Sequence, residues 1–230
     1  MSISKRPIPK RLPLALLLTS PILAGLLAGC AKETEITAVG GSIGQEVQRT
    51  SCPAVGVPTY AGDITLFDPP ASRDARSIDI VADITDVKAV CNEADATSPT
   101  LNSTVSFRVD ARRSNAHGAR DVVLPYFAVV LHGGTALSSK SISRVSVHFD
   151  DGKFTASADG QATGVVNRSE ATLPDSVRSR LIRKRNASDA DASVDPMADP
   201  SVRAAIAKAS FDLLVGFQLT QEQLAYNATR

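Results

Sequence analysis

The chain has 230 residues, with 25 Lys and Arg against 24 Asp and Glu, for a formal net charge of +1. That balance argues against a nucleic-acid partner, which calls for a strong basic field to meet the phosphate backbone. Aromatic residues make up 4 % of the chain and Trp is absent, which counts against a sugar-binding surface built on stacked indole and phenol rings.

Lys5, Arg6, Lys10 and Arg11 open the chain with positive charge and no acid. An apolar run follows over residues 12–27, broken by Pro13, Thr19, Ser20 and Pro21. A membrane-crossing helix needs about 20 apolar residues, so this run is short for a span. A basic start, an apolar middle and small residues at the exit define a secretory signal peptide. The run ends in Leu27-Ala28-Gly29-Cys30. That tetrapeptide resembles the lipobox of bacterial lipoproteins, and the resemblance covers residues 1–30 alone. It implies a type II signal peptide over 1–29 and diacylglycerol on the thiol of Cys30. Cleavage would then make Cys30 the new N-terminus. Two or more acyl chains hold a protein stably, at about 0.8 kcal/mol per buried methylene. Ala31 stands where an Asp would retain such a protein in the inner membrane of enteric bacteria, so the resemblance points to the periplasmic face of the outer membrane. Loss of the four leader cations takes the formal net charge from +1 to −3. The acyl lipid on Cys30 is the only non-protein group expected.

Residues 30–50 read as the lipidated cysteine and a polar, glycine-containing tether with room for one short strand. Cys52 and Cys91 are the two remaining cysteines. In an oxidising compartment a disulfide is their default state. Their spacing fits neither a paired C-x-x-C zinc site nor a redox motif.

Residues 51–168 carry period-two patterning, the signature of half-buried strands. Ile78, Ile80, Ala82 and Ile84 share one phase, which slips to Val87, Ala89 and Cys91, as a bulge or tight turn would make it. Val105, Phe107, Val109 and Ala111 form the clearest alternation. Residues 122–131 are more continuously apolar, as in a strand covered on both faces, and Pro125 within them asks for an edge or a bulge. Val145, Val147 and Phe149 alternate next. Asp151-Gly152 then predicts a hairpin into a strand bearing Phe154, Ala156 and Ala158, and Gly133-Gly134 predicts another turn. Short strands in this rhythm favour a mainly β, antiparallel sandwich-like domain.

Residues 169–230 read as a helical segment packed on the sheets. A short basic helix is expected over 177–184, followed by a loop over 186–198. Asp199 can cap a helix that has Pro200 at its first position. Val202, Ile206, Ala209 and Leu213, with Phe211 and Leu214, then follow helical spacing to a stop at Gly216. Thr220 and Gln223 fit a capping box for a last helix holding Leu224.

Motifs for chemistry are sparse. Leu131-His132-Gly133-Gly134 resembles the oxyanion segment of lipases and esterases, but no G-x-S-x-G nucleophile turn accompanies it. His148 with Asp150 or Asp151 lies beside a turn without a metal-binding spacing. No two carboxylates stand out as a glycosidase pair. No catalytic or metal-ligating residue is therefore assigned. The basic run Arg178, Arg180, Arg183, Lys184 and Arg185 is the one candidate contact for anionic groups, against its reading as the solvated face of a helix. These features favour a non-enzymatic interaction or envelope-assembly module. Its partners would be the membrane, through the lipid, and an envelope protein. A lipid or small-ligand carrier and an envelope hydrolase are the alternatives.

Overall fold

The computed structural model describes residues 50–183, 186, 188–190 and 193–230, all within one unit spanning Glu46–Arg230. The leader, Cys30 and the tether up to residue 49 lie outside the described residues. Strands β1 (Ala54–Gly56), β2 (Asp63–Phe67), β3 (Ile78–Cys91), β4 (Thr100–Arg113), β5 (Arg120–His132), β6 (Ala136–Phe149), β7 (Thr155–Asn167) and β8 (Phe211–Phe217) carry the fold. Helices α1 (Arg168–Ala171), α2 (Asp175–Ile182), α3 (Pro200–Lys208) and α4 (Gln221–Thr229) join or follow them.

The strands form two sheets, ordered β1-β8-β5-β6 and β2-β3-β4-β7. Every pairing is antiparallel except the short parallel contact of β1 with β8. The expected mainly β sandwich with C-terminal helices is therefore observed. One buried cluster lies between the sheets, drawn from alternate positions. Val105, Phe107, Val109 and Ala111 point inward from β4, and Leu124, Tyr126, Ala128 and Val130 from β5. Across the core, the rings of Phe107 and Tyr126 meet edge to face at 5.0 Å, a favoured aromatic geometry. The Tyr126 hydroxyl donates to the Gln161 carbonyl at 2.6 Å.

The phase slip in β3 is a bulge. Register with β4 shifts between Thr85 and Lys88, and Asp86 takes a positive φ of 51°. Pro125 sits inside the sheet without breaking it. Its carbonyl accepts from the Gln218 amide at 2.9 Å. Pro125 lies where the neighbouring strand β8 stops at Phe217, so the missing donor falls at the end of a ladder, where proline is tolerated.

Two expectations are corrected. The Asp151-Gly152 turn exists, with Gly152 at φ 76°, but it is not a hairpin. β6 pairs with β5 and β7 pairs with β4, so the turn carries the chain from one sheet to the other. Turn chemistry sets a reversal; it does not choose which edge the next strand joins. Packing makes that choice. The inward positions of β7 are Ala156, Ala158, Gly160, Ala162, Gly164 and Val166, and a Cβ at Gly160 would stand 2.3 Å from the ring of Phe107 on β4. The second correction concerns residues 169–230, which are not helical throughout. Helix α3 ends at Lys208, and Phe211, Leu213, Val215 and Phe217 alternate inward along β8. Phe211, Leu213 and Leu214 thus belong to a strand, and Gly216 stops no helix. β8 lies between β1 and β5, where two ladders outweigh the local helical spacing. Elsewhere the segment matches the reading. Asp199 caps α3 with Pro200 first, and Thr220 and Gln223 form the capping box of α4.

Arg113 is 2 % exposed. Its Nε donates to the Lys153 carbonyl at 2.7 Å. Nη1 donates to Gly118 at 2.8 Å, and Nη2 to Ala116 and Asp150 at 2.8 Å each. These carbonyls belong to the two crossings between sheets, β4 to β5 and β6 to β7. Arg113→Ala should lower unfolding free energy by at least about 3 kcal/mol, because several carbonyls lose a charged donor at once. Urea denaturation of the purified protein measures this, and a loss below about 1 kcal/mol, the worth of one ordinary hydrogen bond, would contradict it.

Candidate functional site

Cys52 and Cys91 are bonded, with Cα atoms 6.3 Å apart. The bond joins the chain entering β1 to the last residue of β3, and so one sheet to the other. Glu93 reinforces this corner. It accepts from the Ser51 amide at 2.6 Å and the Thr50 hydroxyl at 2.7 Å. These two bonds, the amide first, hold its carboxyl below the usual range. Arg168 gathers the same region by donating to the carbonyls of Ser98 at 2.8 Å and Asp95 at 2.7 Å.

Three arginines of the basic run each lie near an acid in the residues described. Arg178 faces Asp175 at 3.8 Å, Arg180 meets Asp199 at 2.7 Å, and Arg183 lies 3.9 Å from Asp189. Arg180 first, then the Ser201 hydroxyl and amide, hold the Asp199 carboxyl far below its usual range. Lys184 and Arg185 lie outside the described residues. Val177 and Leu181 of α2 are half-buried, whereas Ile182 is exposed.

The three histidines have local partners or turn positions. His132 stacks on Phe211 with ring centroids 4.5 Å apart, and Gly133 and Gly134, at φ 61° and 78°, make the β5–β6 hairpin turn. The Leu131–Gly134 stretch thus ends strand β5 at His132 and enters the hairpin turn at Gly133, in keeping with the missing nucleophile motif. His117 sits in the β4–β5 link, its amide bonded to Asn115 Oδ1 at 3.0 Å. His148 Nδ1 is 2.8 Å from Asp121 and Nε2 is 3.5 Å from Asp150. Asp151 instead accepts from the Gly118 amide at 2.7 Å.

Asp83 and Asp110 are opposite each other across β3 and β4. Burial first, then the Asp110 charge, raises the Asp83 carboxyl, with Arg112 opposing. They stand on the outer face of a sheet and line neither groove described below. The first groove, of about 660 Å³, lies between residues 96–99 and 168–175. The second, of about 590 Å³, is lined by Phe67, Arg73, Asp79, Arg120, Glu222 and others. Both of its cations are paired with acids, Arg73 with Glu222 at 2.5 Å, and Asp68 adds a further carboxylate to the lining. Arg120 likewise grips Asp79 through both terminal nitrogens. Asn227, missed in the sequence, pins α4 by donating to the Tyr60 and Asp63 carbonyls at 2.9 Å each. Among the described residues no group of three His, Cys, Asp or Glu is arranged to hold a metal ion.

No known family model, curated protein or solved structure matches the chain. The fold and the bonded cysteines define a disulfide-linked β-sandwich.

Two measurements probe these contacts. Reduction of Cys52–Cys91, or Cys91→Ala, should cost about 4 kcal/mol of stability for a loop of this length, read as a fall in the denaturant midpoint; an unchanged midpoint would contradict the staple. His148 should titrate above 6.5, because the hydrogen bond to Asp121 and then its charge favour the imidazolium. Its small contribution to stability is present at low pH and disappears as pH rises through the raised folded value. NMR titration should show Asp121→Asn moving the His148 midpoint down.

Proposed function

We propose that the protein is a lipid-anchored envelope lipoprotein facing the periplasm from the outer membrane. In this reading its body is a non-enzymatic interaction or assembly module. The observation that carries it is Leu27-Ala28-Gly29-Cys30 directly after a basic start and an apolar run. Acylation at Cys30 and cleavage before it would leave a tether of about twenty residues, which at up to ~3.5 Å each reaches some ~70 Å. The Cys52–Cys91 bond supports the reading independently, because disulfides persist in exported proteins and are rare where thiols are kept reduced. Among the described residues no helix is long and apolar enough to cross a membrane.

Cys30→Ala should shift the protein from the membrane to the soluble fraction after cell lysis, with loss of labelling by a fatty-acid analogue. Retention in the membrane fraction at the parental level would refute the anchor. Crosslinking the full-length protein in cells should capture a dominant envelope protein if the body is an assembly module.

A further inference from the structure

The outward face of β5 is largely apolar where a solvated strand would be polar, and β6 adds Leu137 and Ile142 to it. Val123, Leu137 and Ile142 are 55 %, 63 % and 61 % exposed. Phe127, Val129 and Leu131 lie half-buried on the same face. The register sets Phe127 opposite Ile142 and Leu131 opposite Leu137, so the stripe runs along β5 and reaches β6 at those two positions, while Val123 faces Ser146. It extends to β8 through Leu214, opposite Val129.

Two cations stand within it. Lys140 and Arg144 flank Ile142 at alternate positions of β6, opposite Val129 and Pro125. The ammonium of Lys140 lies 5.2 Å from the centre of the Phe127 ring. Carboxylates occur only at the two ends of the stripe. Asp212 lies opposite Leu131 and Asp121 opposite His148. The middle of the face therefore offers branched apolar side chains interleaved with two long cationic ones, and no negative charge.

We propose that this face rests on an anionic phospholipid surface, with Ile142, Leu137 and Val123 entering the headgroup boundary. Lys140 and Arg144 reach the phosphates while their alkyl stems lie along the apolar layer. The order of chemistry in a bilayer, anionic heads over apolar tails, is the complement of this stripe. A protein partner would need an apolar patch edged by acids at this spacing, whereas an anionic bilayer presents that layering over its whole surface. The proposal rests on the lipid-anchor reading for its strength. A face with two cations binds weakly alone, and a short tether to the same bilayer raises its effective concentration.

The chain contains no Trp, so Ile142→Trp places a single indole emitter on the stripe. Val165→Trp is the control, because Val165 is 52 % exposed on β7 of the other sheet. Each full-length protein is purified from membranes and reconstituted into vesicles of phosphatidylglycerol and phosphatidylcholine with brominated acyl chains. The expected result for the Ile142→Trp protein is loss of most of its indole emission and a blue shift of the remainder. Emission of the Val165→Trp protein should stay unchanged. Adding Lys140→Glu and Arg144→Glu to the Ile142→Trp protein should restore its emission while it still floats with the vesicles. If the Ile142→Trp protein floats and its emission is as insensitive to bromine as the control's, the proposal is overturned. A blue shift in the Ile142→Trp protein that needs no lipid and grows with protein concentration also overturns it, because that marks burial against a second copy. Failure of the unsubstituted protein to float defeats the anchor reading instead. The face then stands or falls on the same quenching, measured with vesicles added to the protein in solution.

Discussion

The sandwich depends on the burial of one guanidinium. Where a chain crosses between packed sheets its carbonyls leave the ladder and need other donors. Here two crossings fall at the same end, β4 to β5 and β6 to β7. Arg113 supplies hydrogen bonds to both, and Phe149 lies under its guanidinium at 5.2 Å. No carboxylate neutralises it among these contacts; four carbonyl dipoles and an aromatic face do. Lysine has three donors on a point-like head and could not span four acceptors spread over two loops. The contact therefore fixes the relative position of the sheets as well as saturating the turns.

The far end is closed by different means. Cys52–Cys91 and Glu93 hold the entering chain, and Arg168 draws together the carbonyls of the β3–β4 link. Sheet β1-β8-β5-β6 is completed only when the C-terminal segment returns and inserts β8 beside β5. A central strand drawn from residues 211–217 makes the fold rich in contacts distant in sequence. Such topologies form slowly because loop closure precedes the pairing that rewards it. The Cys52–Cys91 loop restricts the unfolded chain, which is the source of the staple's stabilisation.

What is legible in the sequence follows from how local each signal is. The alternation of Val105 to Ala111, the slip near Asp86 and the caps at Asp199 and Thr220 are each written within a few residues, and each is observed. β8 is hidden because Val202, Ile206, Ala209 and Leu213 satisfy helical spacing across what are two elements. Only the space between β1 and β5 decides that Phe211, Leu213, Val215 and Phe217 share a strand face. Asp151-Gly152 misleads for the same reason: the turn is local, but the choice of β4 as partner rests on Phe107 filling the space over Gly160. Arg113, Arg168 and Asn227 leave no pattern, because their acceptors are backbone atoms, and those have no letter in a sequence.

The same distinction bears on where this protein can meet another body. Many of its charges are satisfied inside the fold. Arg178, Arg180 and Arg183, which look like a patch along the chain, each face an acid, and the groove beside Arg73 and Arg120 is closed by Glu222 and Asp79. A density of basic letters is thus a poor guide to free charge. The outward positions of β5 make the opposite case. Residues 122–131 are apolar in both phases, a pattern that suggests cover on two faces, yet the core covers only the even positions and leaves Val123 at the surface. An apolar residue retained on the solvent side of a strand contributes little to the sandwich itself. The proposed membrane contact gives that face a use, with Lys140 and Arg144 matching the anionic layer and Val123 the apolar one.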